Sequence, residues 1–404
     1  MHDRQKQIIF FSIIVMMISL FVSRAALSVS MAVFTATCFF HTNLRTHLKA
    51  FMSSPVLWSM SLLFIIPLIS GLWSEDKREW LNLLRIKLPL LVLPLAFASP
   101  FSFSKKQWGQ LICVFILLVT AGSIWSMFCY LQNIEAVHEG YLHARTMVTP
   151  LENDHVRFSW LVSIAVFFSG WQWWENRGQG NISWILLLIA VWLAVFLHIL
   201  AARTGLLSFY IMLLVSVLWL ISKKAKRVYS VALLFAIIAL PAIAWWIIPT
   251  FRNKVKYFCY DLEFFKDAHY LPGGNDATRV ISLKAGWHMM IADPVRGAGF
   301  GDILPETKKW YDAHYPQMQP QDKIVPSSEW LIYGTGCGVP GFLLFTFVLL
   351  VPFRLRVKNK WAWMLLNFLV AVSFIFDIGL EVQFGVFIYS FIVLLSWKWF
   401  RAEA

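Results

Sequence analysis

Residues 185–222 read ILLLIAVWLAVFLHILAARTGLLSFYIMLLVSVLWLIS, a run of 38 positions in which Arg203 is the only Lys, Arg, Asp or Glu. On either side of Ala201-Ala-Arg203-Thr-Gly the chain is apolar for about 20 residues, the length a helix needs to cross about 30 Å of hydrocarbon. Apolar side chains occupy all faces of both halves, whereas a surface helix of a soluble domain keeps one polar face. The stretch therefore reads as a tight hairpin of two membrane helices with a lone guanidinium in its turn.

Segments of the same kind recur along the whole chain, at approximately 8–22, 26–40, 55–73, 84–100, 107–130, 156–173, 182–200, 204–221, 229–248, 329–352, 361–378 and 382–398. A hydrophobic share of 59%, a charged share of 14% and a mean hydropathy of +0.64 agree with this pattern. Soluble domains run near half apolar and a quarter charged. The expectation is an all-α polytopic membrane protein of about 12 transmembrane helices. Arg4 and Lys6 before an apolar run ending near Ser23-Arg-Ala-Ala imitate a signal peptide; the second apolar segment that follows at once favours a retained helix.

Lys and Arg collect in alternate short loops, as the positive-inside rule requires of correctly placed spans. One side carries Arg4, Lys6, Arg45, Lys49, Lys105, Lys106, Arg177, Lys223, Lys224, Lys226, Arg227, Arg354, Arg356, Lys358, Lys360, Lys398 and Arg401, against Asp3, Glu175 and the terminal Glu403. The short loops of the other side hold Arg24, Lys77, Arg78, Arg85, Lys87, Arg145 and Arg203, mixed with acids such as Glu75, Asp76 and Glu135. Both termini are expected to be cytoplasmic, and the net charge of +13 reads as an orientation signal with no call for nucleic acid.

Against this background the 79 residues from Thr250 to Ser328 stand out, with ten Lys or Arg and nine Asp or Glu. They form one large loop on the exported side of a single membrane domain, 1–404. Within it Val280, Leu283, Trp287 and Met290 recur at helical spacing, so Ala277 to Ala292 is expected to form an amphipathic helix lying on the membrane surface or capping a cavity. Asp293-Pro294 ends it, because proline cannot continue the hydrogen-bond ladder. A second exported loop, Leu131 to His155, is rich in His and Glu. Only Cys259 of the five cysteines lies in the large loop, so neither a disulfide framework nor a metal-ligand spacing is present, and no cofactor is expected. Trp171-Gln-Trp-Trp, Trp245-Trp and the Trp361/Trp363 pair read as interfacial belt residues.

Ionisable groups at membrane depth are costly, which makes each a candidate for function. Arg203 fits two roles about equally: a fork that grips a phosphate group, or a helix-end arginine reaching for water. Arg157, in Asn153-Asp-His-Val-Arg157, is a second phosphate candidate, with an ion pair to Asp154 as the plainer reading. Glu329, in Ser327-Ser-Glu-Trp-Leu, is placed to accept a proton from a hydroxyl, or to pair with Arg203 or Arg279. Asp377 and Glu381, four residues apart, invite a proton-relay reading, with a structural partnership to an intramembrane arginine as the favoured one. Gly297-Ala-Gly-Phe-Gly follows no strand and reads as a turn over a cavity, while His314 in Tyr311-Asp-Ala-His is an exported base candidate or a solvated loop histidine.

The order Arg203-Thr-Gly, Arg279 followed by Ala285-Gly-Trp287, Asp293-Pro with Gly297-Ala-Gly-Phe-Gly, and Ser328-Glu-Trp-Leu with Gly336-Cys-Gly-Val-Pro-Gly resembles the O-antigen ligase and polymerase superfamily, most clearly from about 200 to 350. The resemblance implies a GT-C-like, metal-independent, inverting glycosyltransferase of the bacterial inner membrane, with the donor glycan on undecaprenyl pyrophosphate and the active site periplasmic. It assigns pyrophosphate binding to Arg203 and Arg279. The acceptor it implies is a lipid A core, for a ligase, or another lipid-linked glycan, for a polymerase. Where the family has a His-Asn pair before its late span, this chain has Ser327-Ser328; Glu329 is then the expected catalytic base, with His314 in reserve. A transporter or flippase of lipid-linked saccharides and a protein O-oligosaccharyltransferase are the alternatives.

Overall fold

The computed structural model describes residues 3–40, 44–143, 145–176, 180–266 and 275–402, with the backbone alone at 262–266, 275–276 and 402. Arg177 and Glu403 of the charge pattern lie outside the described residues. Eighteen α-helices are described: α1 Asp3–Val22, α2 Arg24–Phe39, α3 Leu44–Met52, α4 Pro55–Ser70, α5 Lys77–Lys87, α6 Pro89–Phe97, α7 Lys105–Gln132, α8 Ile134–Leu142, α9 His155–Glu175, α10 Asn181–Leu200, α11 Arg203–Ser222, α12 Arg227–Ile247, α13 Pro249–Lys266, α14 Asn275–Ala292, α15 Ile303–His314, α16 Glu329–Leu350, α17 Lys360–Ile375 and α18 Gln383–Ala402. No strand occurs among the described residues.

Each of the twelve apolar segments forms helix, but fewer qualify as spans. Among the described residues eight stretches are long and apolar enough to cross a membrane: α1, α5 with α6, α7, α10, α11, α12, α16 with the turn after it, and α18. Counting the bent pair α2–α3 as one broken span raises this to nine. The apolar helices α4 and α17 have 16 residues each, about 24 Å at 1.5 Å per residue, which is short of the hydrocarbon thickness. The polar end of α9, Gln172 to Glu175, dilutes its apolarity. The described residues thus form an all-helical structure of a multi-pass membrane protein, in which length and hydropathy identify eight or nine of the twelve expected spans.

The helices fall into two compact units. The first comprises Met1–Ser12, Ser28–Ser102 and Tyr260–Ala404; the second comprises Ile13–Leu27 and Phe103–Cys259. In the first, α4 packs on α6 and α16, α18 on α6, and α14 on α16. In the second, α9 is the hub for α7, α10 and α11, and α12 lies on α11.

In the first unit α16 is broken at Cys337 and Gly338, where Gly338 takes φ 66° and ψ −162°. A break inside an apolar helix frees backbone groups that hydrocarbon cannot satisfy. The glycine-rich run satisfies them: Ala298 N donates to Thr335 O at 2.8 Å, Gly299 N to Gly336 O at 3.0 Å, and Val339 N to Pro294 O at 2.9 Å. The run read from sequence as a turn over a cavity is therefore the second half of a helix-break seal. Both strands of the seal require glycine, because a Cβ on Gly297 would lie 2.5 Å from Thr335 O and one on Gly338 2.5 Å from Pro294 O. Gly338→Ala is expected to cost about 2 kcal/mol or more, from the left-handed backbone and the lost seal. Thermal unfolding of the purified protein in detergent reads this directly, and an unchanged midpoint would refute it.

The helix expected from Ala277 to Ala292 is present as α14, but its packed face differs from the expected one. Ala277, Thr278, Ile281, Ser282, Ala285, Gly286 and Met290 are buried, while Val280 and Leu283 are half-buried and Trp287 is 53% exposed. Small residues such as Ala285 and Gly286 let α14 approach α16 closely, as in membrane helix pairs; Ile281 and Met290 are buried beside them, and of the four expected residues Trp287 is the one left exposed. Trp363 also departs from the belt reading. It is fully buried and donates Nε1–H to Pro352 O at 2.6 Å.

Candidate functional site

Arg203 opens α11, in the second unit. The preceding turn has Ala201 in the left-handed region at φ 49° and Ala202 extended, both buried, so Arg203 is the first side chain of the turn to emerge. Its guanidinium carbon lies 4.6 Å from the centroid of the Phe258 ring on α13, a cation–π distance. Arg157 lies three residues into α9, where Asp154 Oδ1 caps the helix by accepting from Arg157 N at 3.1 Å and stands 3.5 Å from Arg157 Nη1. The ion pair with Asp154 read from sequence is thus present. Helices α9 and α11 meet where Ser163 Oγ donates to Gly205 O at 2.8 Å and Ser159 packs against Gly205. Arg157 and Arg203 each precede that contact by two residues, so the two arginines occupy the same end of the parallel pair.

The remaining candidates lie in the first unit. Arg279 is exposed on α14, one turn before Ser282, whose hydroxyl lies 3.0 Å from Ser327 Oγ and accepts from Ser327 N at 3.1 Å. The Ser327-Ser328 pair thereby joins the start of α16 to α14 one turn beyond Arg279. His314 ends α15 at an exposed position. Its ring stacks on Trp310 at 4.5 Å and lies 5.7 Å from the His288 ring. His288 is nine residues from Arg279, about 14 Å along the α14 axis, so His314 and Arg279 are separated along that helix. Nδ1 of His314 is 2.9 Å from Trp310 O; a carbonyl only accepts, so the bond places a proton on Nδ1 and does not use Nε2.

Glu329 is fully buried at the first position of α16. Its Oε1 accepts from Leu380 N, and its Oε2 has no hydrogen-bond partner. The charged groups that act on it are Lys87, Glu381 and Asp377. Lys87, at the end of α5, is likewise fully buried: Nζ donates to Glu381 Oε1 at 2.5 Å and to Leu380 O at 3.1 Å, and stands 5.3 Å from the Tyr333 ring centroid and 5.5 Å from that of Phe300. The intramembrane partner of Glu381 is this lysine and not an arginine. Sequence reading missed Lys87 by counting it with the loop charges. Its place in Leu84-Arg-Ile-Lys-Leu-Pro-Leu-Leu, a charge inside an apolar run, was the available signal.

Asp302 is the other acid whose place only the structure reveals. Its Oδ2 accepts from Glu75 N at 2.7 Å and its Oδ1 from Asp76 N at 2.9 Å, tying the stretch after the glycine run to the turn between α4 and α5. Both segments were assigned to the exported side from charge, and they meet at one end of the first unit.

No curated protein matches the chain. The family model described as O-Antigen ligase matches residues 188–346, from α10 into α16, and over that stretch bears out the resemblance to the O-antigen ligase and polymerase superfamily.

Proposed function

We propose that the protein is a GT-C-like, inverting membrane glycosyltransferase that moves a glycan from undecaprenyl pyrophosphate onto an acceptor hydroxyl in cell-surface polysaccharide assembly. The family match carries this reading, because it contains Arg203, Arg279 and Glu329 in one stretch. In the reaction the acceptor oxygen attacks C1 of the first sugar, the C1–O bond to the pyrophosphate breaks, and the pyrophosphate departs on its lipid with the electron pair. Charge develops on the leaving phosphate oxygens, and a guanidinium is permanently cationic and matches them with paired donors. Arg203 and Arg279 are each assigned to that charge, with Arg157 supporting. The exposed placement of Arg203 at the turn of two long apolar helices favours a ligand at the membrane surface.

The proton of the acceptor hydroxyl goes to Glu329, whose unpartnered Oε2 is chemically suited to take it. His314 is the second base candidate, favoured by its exposed position and by an Nε2 that the bond to Trp310 does not use. Burial of Glu329 requires the acceptor to enter the first unit, whereas His314 meets it at the surface. The protein sits in the bacterial inner membrane with both termini cytoplasmic and its site periplasmic; the charge asymmetry of the short loops supports this orientation.

A gel of surface polysaccharide from a strain lacking the gene, with lipid A-linked and undecaprenyl-linked pools separated, tests the reading. Long chains stranded on undecaprenyl identify a ligase, and lipid A core bearing one repeat identifies a polymerase. Repeats retained on the cytoplasmic face would overturn the assignment in favour of a flippase, and an unchanged pattern would point to protein glycosylation or another envelope polymer.

A further inference from the structure

The last carbonyls of a helix have no intrahelical partner and must find one elsewhere. At the end of α10, just before the Arg203 turn, two side-chain hydroxyls supply it. Tyr141 OH donates to Leu200 O at 2.8 Å, and Thr250 Oγ1 donates to Ile199 O at 2.6 Å. Tyr141 and Thr250 are both fully buried. Tyr141 comes from α8, in the segment 131–155, and Thr250 opens α13, at the start of the large polar stretch. The two are tied to each other, because Asn253 Nδ2 donates to His138 O at 3.0 Å. Helix α13 contributes again eight residues later through Phe258, the ring under the Arg203 guanidinium.

Further along the hairpin His198 Nε2 lies 2.6 Å from Tyr210 OH and joins α10 to α11, but the turn's own two alanines offer no polar side chain. Ala201 occupies a left-handed conformation that costs an L-residue energy. Ala202, the residue before α11, has no side chain with which to cap it. Burial also raises the Tyr141 phenol above its ordinary range, which keeps it a donor.

We propose that Tyr141 and Thr250 are positioning residues for Arg203, clamping the turn so that its guanidinium stands ready for a phosphate group. The proposal rests on the reading of Arg203 as a pyrophosphate ligand. Helix α8 and the first residues of α13 then serve one turn, with Tyr141 and Thr250 holding the carbonyls before it and Phe258 lying against the arginine.

The test is a binding cycle on the full-length protein in nanodiscs with undecaprenyl pyrophosphate as the probe. Tyr141→Phe and Thr250→Val each remove one hydroxyl and are expected to weaken binding about tenfold, the usual worth of one buried hydrogen bond. Thr250→Ser, which keeps the hydroxyl, is expected to bind as wild type, and Tyr141→Phe is expected to add nothing in an Arg203→Ala background. The Thr250 pair decides the matter if Tyr141→Phe does not fold. Wild-type affinity in Thr250→Val, or a Tyr141→Phe loss that persists undiminished without Arg203, overturns the positioning role. Wild-type affinity in Arg203→Ala overturns the pyrophosphate reading itself and removes the clamp's purpose with it.

Discussion

On the proposed reading, Arg203→Ala is expected to abolish glycan transfer while the protein still inserts in the membrane at wild-type level. The guanidinium sits at an exposed turn with Phe258 beneath it, so truncation removes no packed core volume. If Arg203 holds the pyrophosphate as proposed, what the change removes is a fixed cation at the place where charge grows on the leaving phosphate. Preorganised groups of that kind contribute about 100- to 1000-fold to rate. Lysine restores the charge but not the planar fork, so Arg203→Lys should recover part of the activity and leave it at least tenfold below wild type. Arg279→Ala, measured separately, is expected to behave alike. Complementation of the null strain, read on the polysaccharide gel with an immunoblot of the membrane fraction, checks all three; full-length product from Arg203→Ala at normal protein level would sink the mechanism.

Lys87→Met is expected to cause a large loss of stability. The ammonium is fully buried and held by Glu381 Oε1, the Leu380 carbonyl and two ring faces. Removing it strands the Glu381 carboxylate and takes away the cation acting on Glu329, and breaking a buried pair from one side costs about 3–5 kcal/mol. Replacing both partners costs far less, because neither charge is then left alone. Lys87→Met with Glu381→Leu is accordingly expected to recover most of the loss. The shortfall that remains measures how much Lys87 supports Glu329. Thermal unfolding in detergent distinguishes these cases: a wild-type midpoint for the single variant would mean that the buried pair carries no stability, and a double variant as unstable as the single would show that Glu381 was never the partner that mattered.

Much of the architecture was legible because hydropathy is a local property. A run such as residues 185–222 must be helical wherever it lies in the membrane, since its backbone has no water to bond, and all twelve apolar segments are indeed helices. The count of spans was less secure. Length in sequence does not reveal that α4 and α17 stop at 16 residues or that α16 breaks at Cys337-Gly338. Likewise, of Val280, Leu283, Trp287 and Met290 only Met290 is fully packed, because the face of α14 that meets its neighbours is centred on Ile281, Ala285 and Gly286, where small residues allow close approach to α16.

The candidate site divides in the same way. Arg203, Arg279 and Glu329 could be named from one-dimensional cues, an isolated charge in an apolar run and the order of short motifs. Lys87, Asp302, Tyr141 and Thr250 could not be assigned partners from sequence. Each acts on an atom more than 40 residues away along the chain, and for Lys87 and Asp302 the separations are 294 and 227. Composition and periodicity therefore determined that this protein is helical and crosses a membrane, because those depend on the solvent around each segment. Tertiary structure alone decided which buried charges meet, what seals the broken helix and what holds the Arg203 turn, because hydrogen bonds and ion pairs depend on ångström distances between segments that the linear order leaves open.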